Sequence, residues 1–208
     1  MNKEFYVIEG IDGAGKTTVG KYIQKAANLK FIETPARDFR RMNKSAPTDL
    51  CGRISYFMRS NQDALKRINK LPSNAPSIIG RYAYSTLIYA AASFNIPMCK
   101  LECLAQSYML AEPVKTFLLT IDTEHQIQRI LGRRQKSVDD LKIINDPGYR
   151  TNIDTMYRDI AAKQGWIIVD TTQKSVEKTA KEILCHMGVN VLAETAQDRS
   201  LYDKCARA

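Results

Sequence analysis

Short apolar runs bounded by turn-forming residues recur along the chain at FYVIE (5–9), KFIET (30–34), SIIG (77–80), TFLLTID (116–122) and WIIVD (166–170). Runs of that length with little polar alternation mark strands covered on both faces, as in a parallel sheet. Between them lie amphipathic stretches of helical length over 16–27, roughly 49–70, 82–93, 100–111, 123–134, 149–164 and 174–187. Alternation of the two patterns predicts a doubly wound α/β domain of about five parallel strands with helices on both faces. Pro72, Pro76, Pro97, Pro113 and Pro147 fall between the segments, where proline is tolerated. Residues 189–208 are mixed in character and read as a terminal helix or a tail. No linker or repeat divides the 208 residues, so a single domain over 1–208 is expected.

The first run breaks into GIDGAGKTT at 10–18, which matches G-x-x-x-x-G-K-[ST] after a strand and before a helix. Glycines let consecutive main-chain N–H groups face one concavity, and the start of the next helix adds unpaired donors and a positive dipole end. That nest fits a polyphosphate, with Gly10, Gly13, Ala14, Gly15 and Thr18 among the residues around it. Lys16 is expected to reach the β- and γ-phosphates of ATP, and the Thr17 hydroxyl to ligate the accompanying magnesium. A guanine-nucleotide switch needs N-K-x-D and D-x-x-G as well. NKSA (43–46) and NKLP (69–72) lack the aspartate, and DLCG (49–52) follows SAPT, a poor strand.

Composition narrows the setting. The chain is 44% hydrophobic and 25% charged, and no apolar run approaches the roughly 20 residues of a membrane span. MNKEF leads into too short an apolar segment for a signal peptide, so a cytoplasmic protein with no membrane partner is expected. Cys51, Cys99, Cys103, Cys185 and Cys205 are scattered and odd in number, which predicts reduced thiols. Cys99 and Cys103 stand one helical turn apart and read as small, partly buried residues rather than metal ligands. The net charge of +9 attracts polyanions, but the basic residues are spread along the chain. A solvated surface with a phosphate-handling site fits that spread better than a nucleic-acid stripe, and no nucleic-acid partner is expected.

IEGIDGAGKTT, then RYAYSTLIYA after the third run, an arginine-rich segment and WIIVDTT together resemble the thymidylate kinases over about residues 4–188. The resemblance implies a P-loop NTPase three-layer fold with strand order 2-3-1-4-5, ATP and magnesium as donor, a nucleoside monophosphate as acceptor, and a homodimer. It further implies that Asp12 faces the acceptor, that Arg81 clamps the acceptor phosphate, and that Phe57 stacks on the acceptor base. Ser85 and Tyr89 would line the acceptor pocket. Arg129, Arg133 and Arg134 would belong to a lid, drawn around 132–146, with Arg133 beside the transferring phosphate. Plainer alternatives stand beside these roles: a turn residue at Asp12, a surface arginine at Arg81, a core aromatic at Phe57. Asp139 and Asp140 read as surface residues at the base of the lid.

Three positions depart from the family's pattern. Gly80 stands where an aspartate precedes the arginine, Glu33 where an arginine precedes x-Pro, and Asn61 where another arginine follows the stacking aromatic. Loss of the first puts metal handling in question. Loss of two cations weakens a monophosphate contact by roughly 3–6 kcal/mol, at 1.5–3 for each charge-assisted bond. Arg37, Arg40, Arg41 and Arg59 are the nearby replacements. Otherwise the acceptor is a nucleoside or another small phosphate or hydroxyl compound, or the chain binds nucleotide with little catalysis.

Overall fold

The computed structural model describes residues 3–43, 46–72 and 76–189. Its sheet contains β1 (Tyr6–Glu9), β2 (Lys30–Glu33), β3 (Ser77–Gly80), β4 (Lys115–Thr120) and β5 (Ile167–Asp170), all parallel, in the order β2-β3-β1-β4-β5. That is the order which the resemblance implied. The absence of polar alternation has the expected cause in β1, β3 and β4, which are covered on both faces, whereas the edge strand β5 leaves Ile168 exposed. Ile8, Ile78, Leu119 and Val169 point into one apolar cluster, and their neighbours Val7, Ile79 and Ile32 into a second. The first is closed by α1 (Lys16–Ala27), α8 (Pro147–Gln164) and α9 (Val176–His186), through Ile23, Ile153, Tyr157 and Leu184. The second is closed by Ala64 and Ile68 of α3 (Leu50–Asn69). Ile54 and Met58 of α3 form a third with Leu87 and Ala90 of α4 (Ala83–Phe94).

Several elements differ from the pattern reading. The stretch 100–111 is helical only as α5 (Met98–Gln106), because the chain turns at Met109, which has φ 44°, and carries Leu110 back to the apolar clusters. Of α5 only Leu101 is buried, so Cys99 and Cys103 are exposed rather than partly buried. The fourth strand stops at Thr120 because Asp122 caps α6 (Thr123–Leu131), accepting the His125 N–H at 2.8 Å. Two short helices were not expected: α2 (Arg37–Asn43), anchored by buried Phe39, and α7 (Val138–Asn145), started by a reciprocal capping box of Ser137 and Asp140. The D-x-x-G at 49–52 is a helix cap, with Asp49 accepting the Gly52 N–H at 2.8 Å. Among the described residues no helix is long and apolar enough to cross a membrane, and no group of three His, Cys, Asp or Glu side chains could hold a metal ion by itself. Cys205 and residues 190–208 of the expected terminal segment lie outside the described residues.

Candidate active site

The site lies at the carboxyl ends of β1, β2 and β3, where open α/β sheets hold ligands. The chain leaves β1 through Gly10, at φ 137°, where a side chain would place its first carbon 2.3 Å from the Leu119 carbonyl oxygen. It enters α1 through Gly15, at φ 95°, which has no side chain to cap the helix. The first-turn N–H groups of α1 therefore stay available to an anion. Thr171, just past β5, braces the loop by donating to the Ala14 carbonyl at 3.1 Å, and Gln126 donates to the Asp12 carbonyl at 2.6 Å.

Lys16 is buried and folds back on this loop, donating to the carbonyls of Gly10 at 2.6 Å and Ile11 at 2.8 Å. Burial and the nearby Arg81 guanidinium pull its ammonium down to about 7, against Asp12 and Glu9, which favour the charged form. Asp12 is buried and lies between two cations. Arg81 donates to its Oδ1, which stands 3.9 Å from Lys16 Nζ, and the Tyr89 hydroxyl donates to Oδ2 at 3.0 Å. Burial opposes ionisation of Asp12, but Arg81 and Lys16 overcome it and hold the carboxyl well below its usual range. Arg81 adopts φ 70°, a left-handed conformation that a non-glycine residue keeps only where its surroundings impose it. Its N–H donates to the Ile8 carbonyl at 2.9 Å, and Thr34 Oγ1 donates to its carbonyl at 2.8 Å.

Beside this junction opens a cavity of about 260 Å³, just under the roughly 300–1,000 Å³ usual for ligand pockets. Asp12, Glu33 and Pro35 form one wall, Arg81, Ser85 and Tyr89 a second, and Arg53, Phe57 and Asn61 of α3 a third. Phe57 is half-buried at this surface rather than part of the core, with the Arg53 guanidinium 5.9 Å over its ring. One helical turn on, Asn61 is buried and its Nδ2 has no partner among the described residues. Of the four replacement arginines, Arg40 lines the cavity, carried there by α2. Ser85 is committed to the interior: its Oγ donates to Glu9 and stands 2.8 Å from the Tyr157 hydroxyl.

The three arginines assigned to the lid part company. Arg129 belongs to α6 and ties the P-loop to the end of β5, donating to the Thr171 carbonyl at 2.8 Å and its Oγ1 at 3.2 Å. Arg133 donates to Asp140 Oδ1 at 2.6 Å, while Arg134 is exposed, as is Thr18. Asp139 and Asp140 are not surface residues. Asp140 is buried in the capping box of α7, accepting the Ser137 N–H at 2.9 Å, and Asp139 lines the cavity, where it pairs with Arg53 at 2.7 Å and accepts from Tyr149 at 3.2 Å.

Sequence reasoning passed over Glu9, Gln126 and Thr171. Glu9 is buried and accepts from the N–H groups of Tyr82 at 2.9 Å and Ser85 at 3.2 Å, so it fixes the start of α4 against the P-loop strand. Burial pushes its carboxyl up, against Ser85 and Tyr82, which favour the ionised form. A carboxylate ending a buried strand was the available signal. Gln126 offered none, since its partner lies 114 residues away.

A magnesium-borne triphosphate fits these residues. The open N-terminus of α1 and Lys16 suit phosphate oxygens, and Thr17 offers a hard oxygen ligand. The Thr17 hydroxyl donates to Glu33 Oε1 at 2.7 Å, which leaves its lone pairs for a cation.

The family model described as thymidylate kinase matches residues 8–183. The probable thymidylate kinase of Methanococcus maripaludis strain C7 is 29% identical over 197 residues, covering 88% of this chain and 94% of that protein. The thymidylate kinase of Blochmanniella pennsylvanica is 28% identical, covering 90% and 96%. Among solved structures, the thymidylate kinase of Candida albicans superposes with a TM-score of 0.67 at 21% identity, covering 88% of this chain and 89% of that one. That of Ehrlichia chaffeensis gives 0.63 at 18%, covering 90% and 100%.

Proposed function

The chain belongs to the thymidylate kinase family and is a nucleotide kinase, and from that premise we propose that it transfers the γ-phosphoryl group of ATP to a nucleoside monophosphate seated in the 260 Å³ cavity. The observation that carries this reading is the Lys16–Asp12–Arg81 junction, which lies where the P-loop meets the cavity. ATP supplies the phosphoryl group, and the magnesium bound with it screens the phosphate charge. The chain's own work is positioning and electrostatics, with no protein nucleophile required.

Thr17 would hold the metal. Lys16 leaves its two carbonyl partners for phosphate oxygens, and Arg81, held by Asp12, faces the incoming acceptor phosphate. Arg40 offers the acceptor phosphate a cation with no ion pair among the described residues. Phe57 supplies a platform for the base, and Asn61 Nδ2, unpartnered among the described residues, a polar contact at its edge. Arg133 would leave Asp140 to reach the transferring group when the segment around 132–146 closes.

A nucleoside acceptor is favoured by one arrangement: Arg53 and Arg81 are each already paired with a carboxylate, and Glu33 adds a negative wall. ADP release coupled to a reporter, over a panel of nucleosides and nucleoside monophosphates, tests both. Stimulation by a monophosphate is expected, stimulation by nucleosides alone would favour the second reading, and no acceptor-dependent turnover would defeat the kinase assignment. We expect the protein in the cytoplasm as a homodimer, and light scattering at working concentration checks the latter.

A further inference from the structure

We propose that Glu33 is the metal-side positioning residue of this site, supplying from β2 the carboxylate that P-loop enzymes place next to the P-loop threonine. The inference rests on the magnesium-ATP reading above.

A P-loop threonine and a strand-end carboxylate together hold the nucleotide's magnesium and its waters. Three carboxylates of the described residues lie close enough to weigh. Glu9 is consumed by Tyr82 and Ser85, and Asp12 by Arg81 and Tyr89 on the acceptor side. Glu33 alone of the three touches the threonine, accepting from Thr17 Oγ1 at 2.7 Å. In that bond the hydroxyl proton points to Glu33, so the lone pairs of Thr17 are turned away from it. A carboxylate behind a ligand also raises the ligand's basicity.

The neighbouring strand explains why the carboxylate comes from β2. Glu33 is in register with Gly80, the end of β3, the strand that separates β2 from β1. A side chain at 80 would place its first carbon 2.7 Å from the Phe31 ring. That ring is also pressed against α1, where a first side-chain carbon at Gly20 would fall 2.2 Å from it. Phe31 and Glu33, two apart, share one face of β2. The ring therefore fills the space a β3 carboxylate would need. The bare Gly80 makes room for that ring, and Glu33, farther along the same face of β2, reaches Thr17 of α1.

The test is calorimetric titration of ATP into wild type and Glu33→Gln, once with magnesium and once in EDTA. Glutamine keeps an acceptor for Thr17 and removes only the charge, and thermal unfolding checks that the fold is retained. Magnesium-ATP is expected to bind at least tenfold more weakly to the variant, while ATP in EDTA binds as well or better, since a negative neighbour has gone. Glu33→Asp, one methylene shorter and so drawn back from Thr17, should lose the same magnesium-dependent part. Equal magnesium dependence in wild type and Glu33→Gln would overturn the inference and leave the kinase reading standing. Equal loss in both arms would overturn it too, as the mark of a merely structural role. Failure of wild type to bind ATP in either arm would remove both readings together.

Discussion

Lys16 carries the largest reserve of charge at the site. Its folded value of about 7 lies below the ordinary 10.5, so across that window the unfolded chain holds a proton that the folded chain lacks. Stability of the free protein therefore rises with pH between those values, and the full cost of charging Lys16 is present below the window. Phosphate oxygens reverse the balance. At pH about 8, ATP binding should take up a proton on Lys16, and at pH about 6 none. Calorimetry in buffers of different ionisation enthalpy measures that uptake, and the difference should vanish in Lys16→Met, with acceptor turnover down about a hundred- to thousandfold. Arg81 invites a second experiment, because glycine accepts its φ of 70° without strain. Arg81→Gly should lower acceptor kcat/KM by about ten- to two-hundredfold, the worth of one charge-assisted bond. It also removes the partner that, with Lys16, depresses Asp12. A depressed carboxyl contributes stability above its unfolded value, and that stability is lost as pH falls through the folded value. Arg81→Gly should therefore move acid unfolding, followed by circular dichroism, to higher pH.

The β2–β3–α1 packing makes one substitution informative at the scale of elements. Gly80→Asp would restore the family's residue, but its side chain enters the space of a Phe31 ring that Gly20 already confines. Overpacking of that kind costs about 1–3 kcal/mol, which lowers the melting temperature by roughly 2–12 °C in a chain of this size. Phe31→Ala in the same chain should recover part of the loss. An unchanged melting temperature for Gly80→Asp would contradict the packing described. Local pattern made the five strands legible because each is a short apolar run closed by a turn. The P-loop was legible because its ligand geometry dictates its sequence. Helices α2 and α7 were hidden for the opposite reason: each is under nine residues and takes its place from distant partners, buried Phe39 and the Asp38–Arg67 pair in one case, buried Ile143 and the Arg53–Asp139 pair in the other. Asp139, Glu33 and Gln126 likewise take their roles from partners far away in the chain.

Charge acts at the scale of the whole molecule. A net +9 spread over the surface raises the local concentration of anions without choosing among them, and its reach shrinks from about 30 Å in 0.01 M salt to about 3 Å in 1 M. Choice belongs to the cavity, where the positive groups Arg40, Arg53 and Arg81 stand against Asp12, Glu33 and Asp139. These two layers give the acceptor question a kinetic signature. With magnesium-ATP held saturating, kcat/KM for a dianionic monophosphate should fall several-fold as salt rises from about 0.02 to 0.5 M, because the approach of the acceptor is steered. The value for a neutral nucleoside should stay nearly flat over that range, since an uncharged acceptor feels no such field. The kcat at saturating acceptor should change little for either, because the paired charges around Asp12 and Asp139 are partly withdrawn from solvent and are screened less. A monophosphate whose kcat/KM is insensitive to salt would mean that the surface charge does not serve this cavity, and would turn attention to a different polyanion.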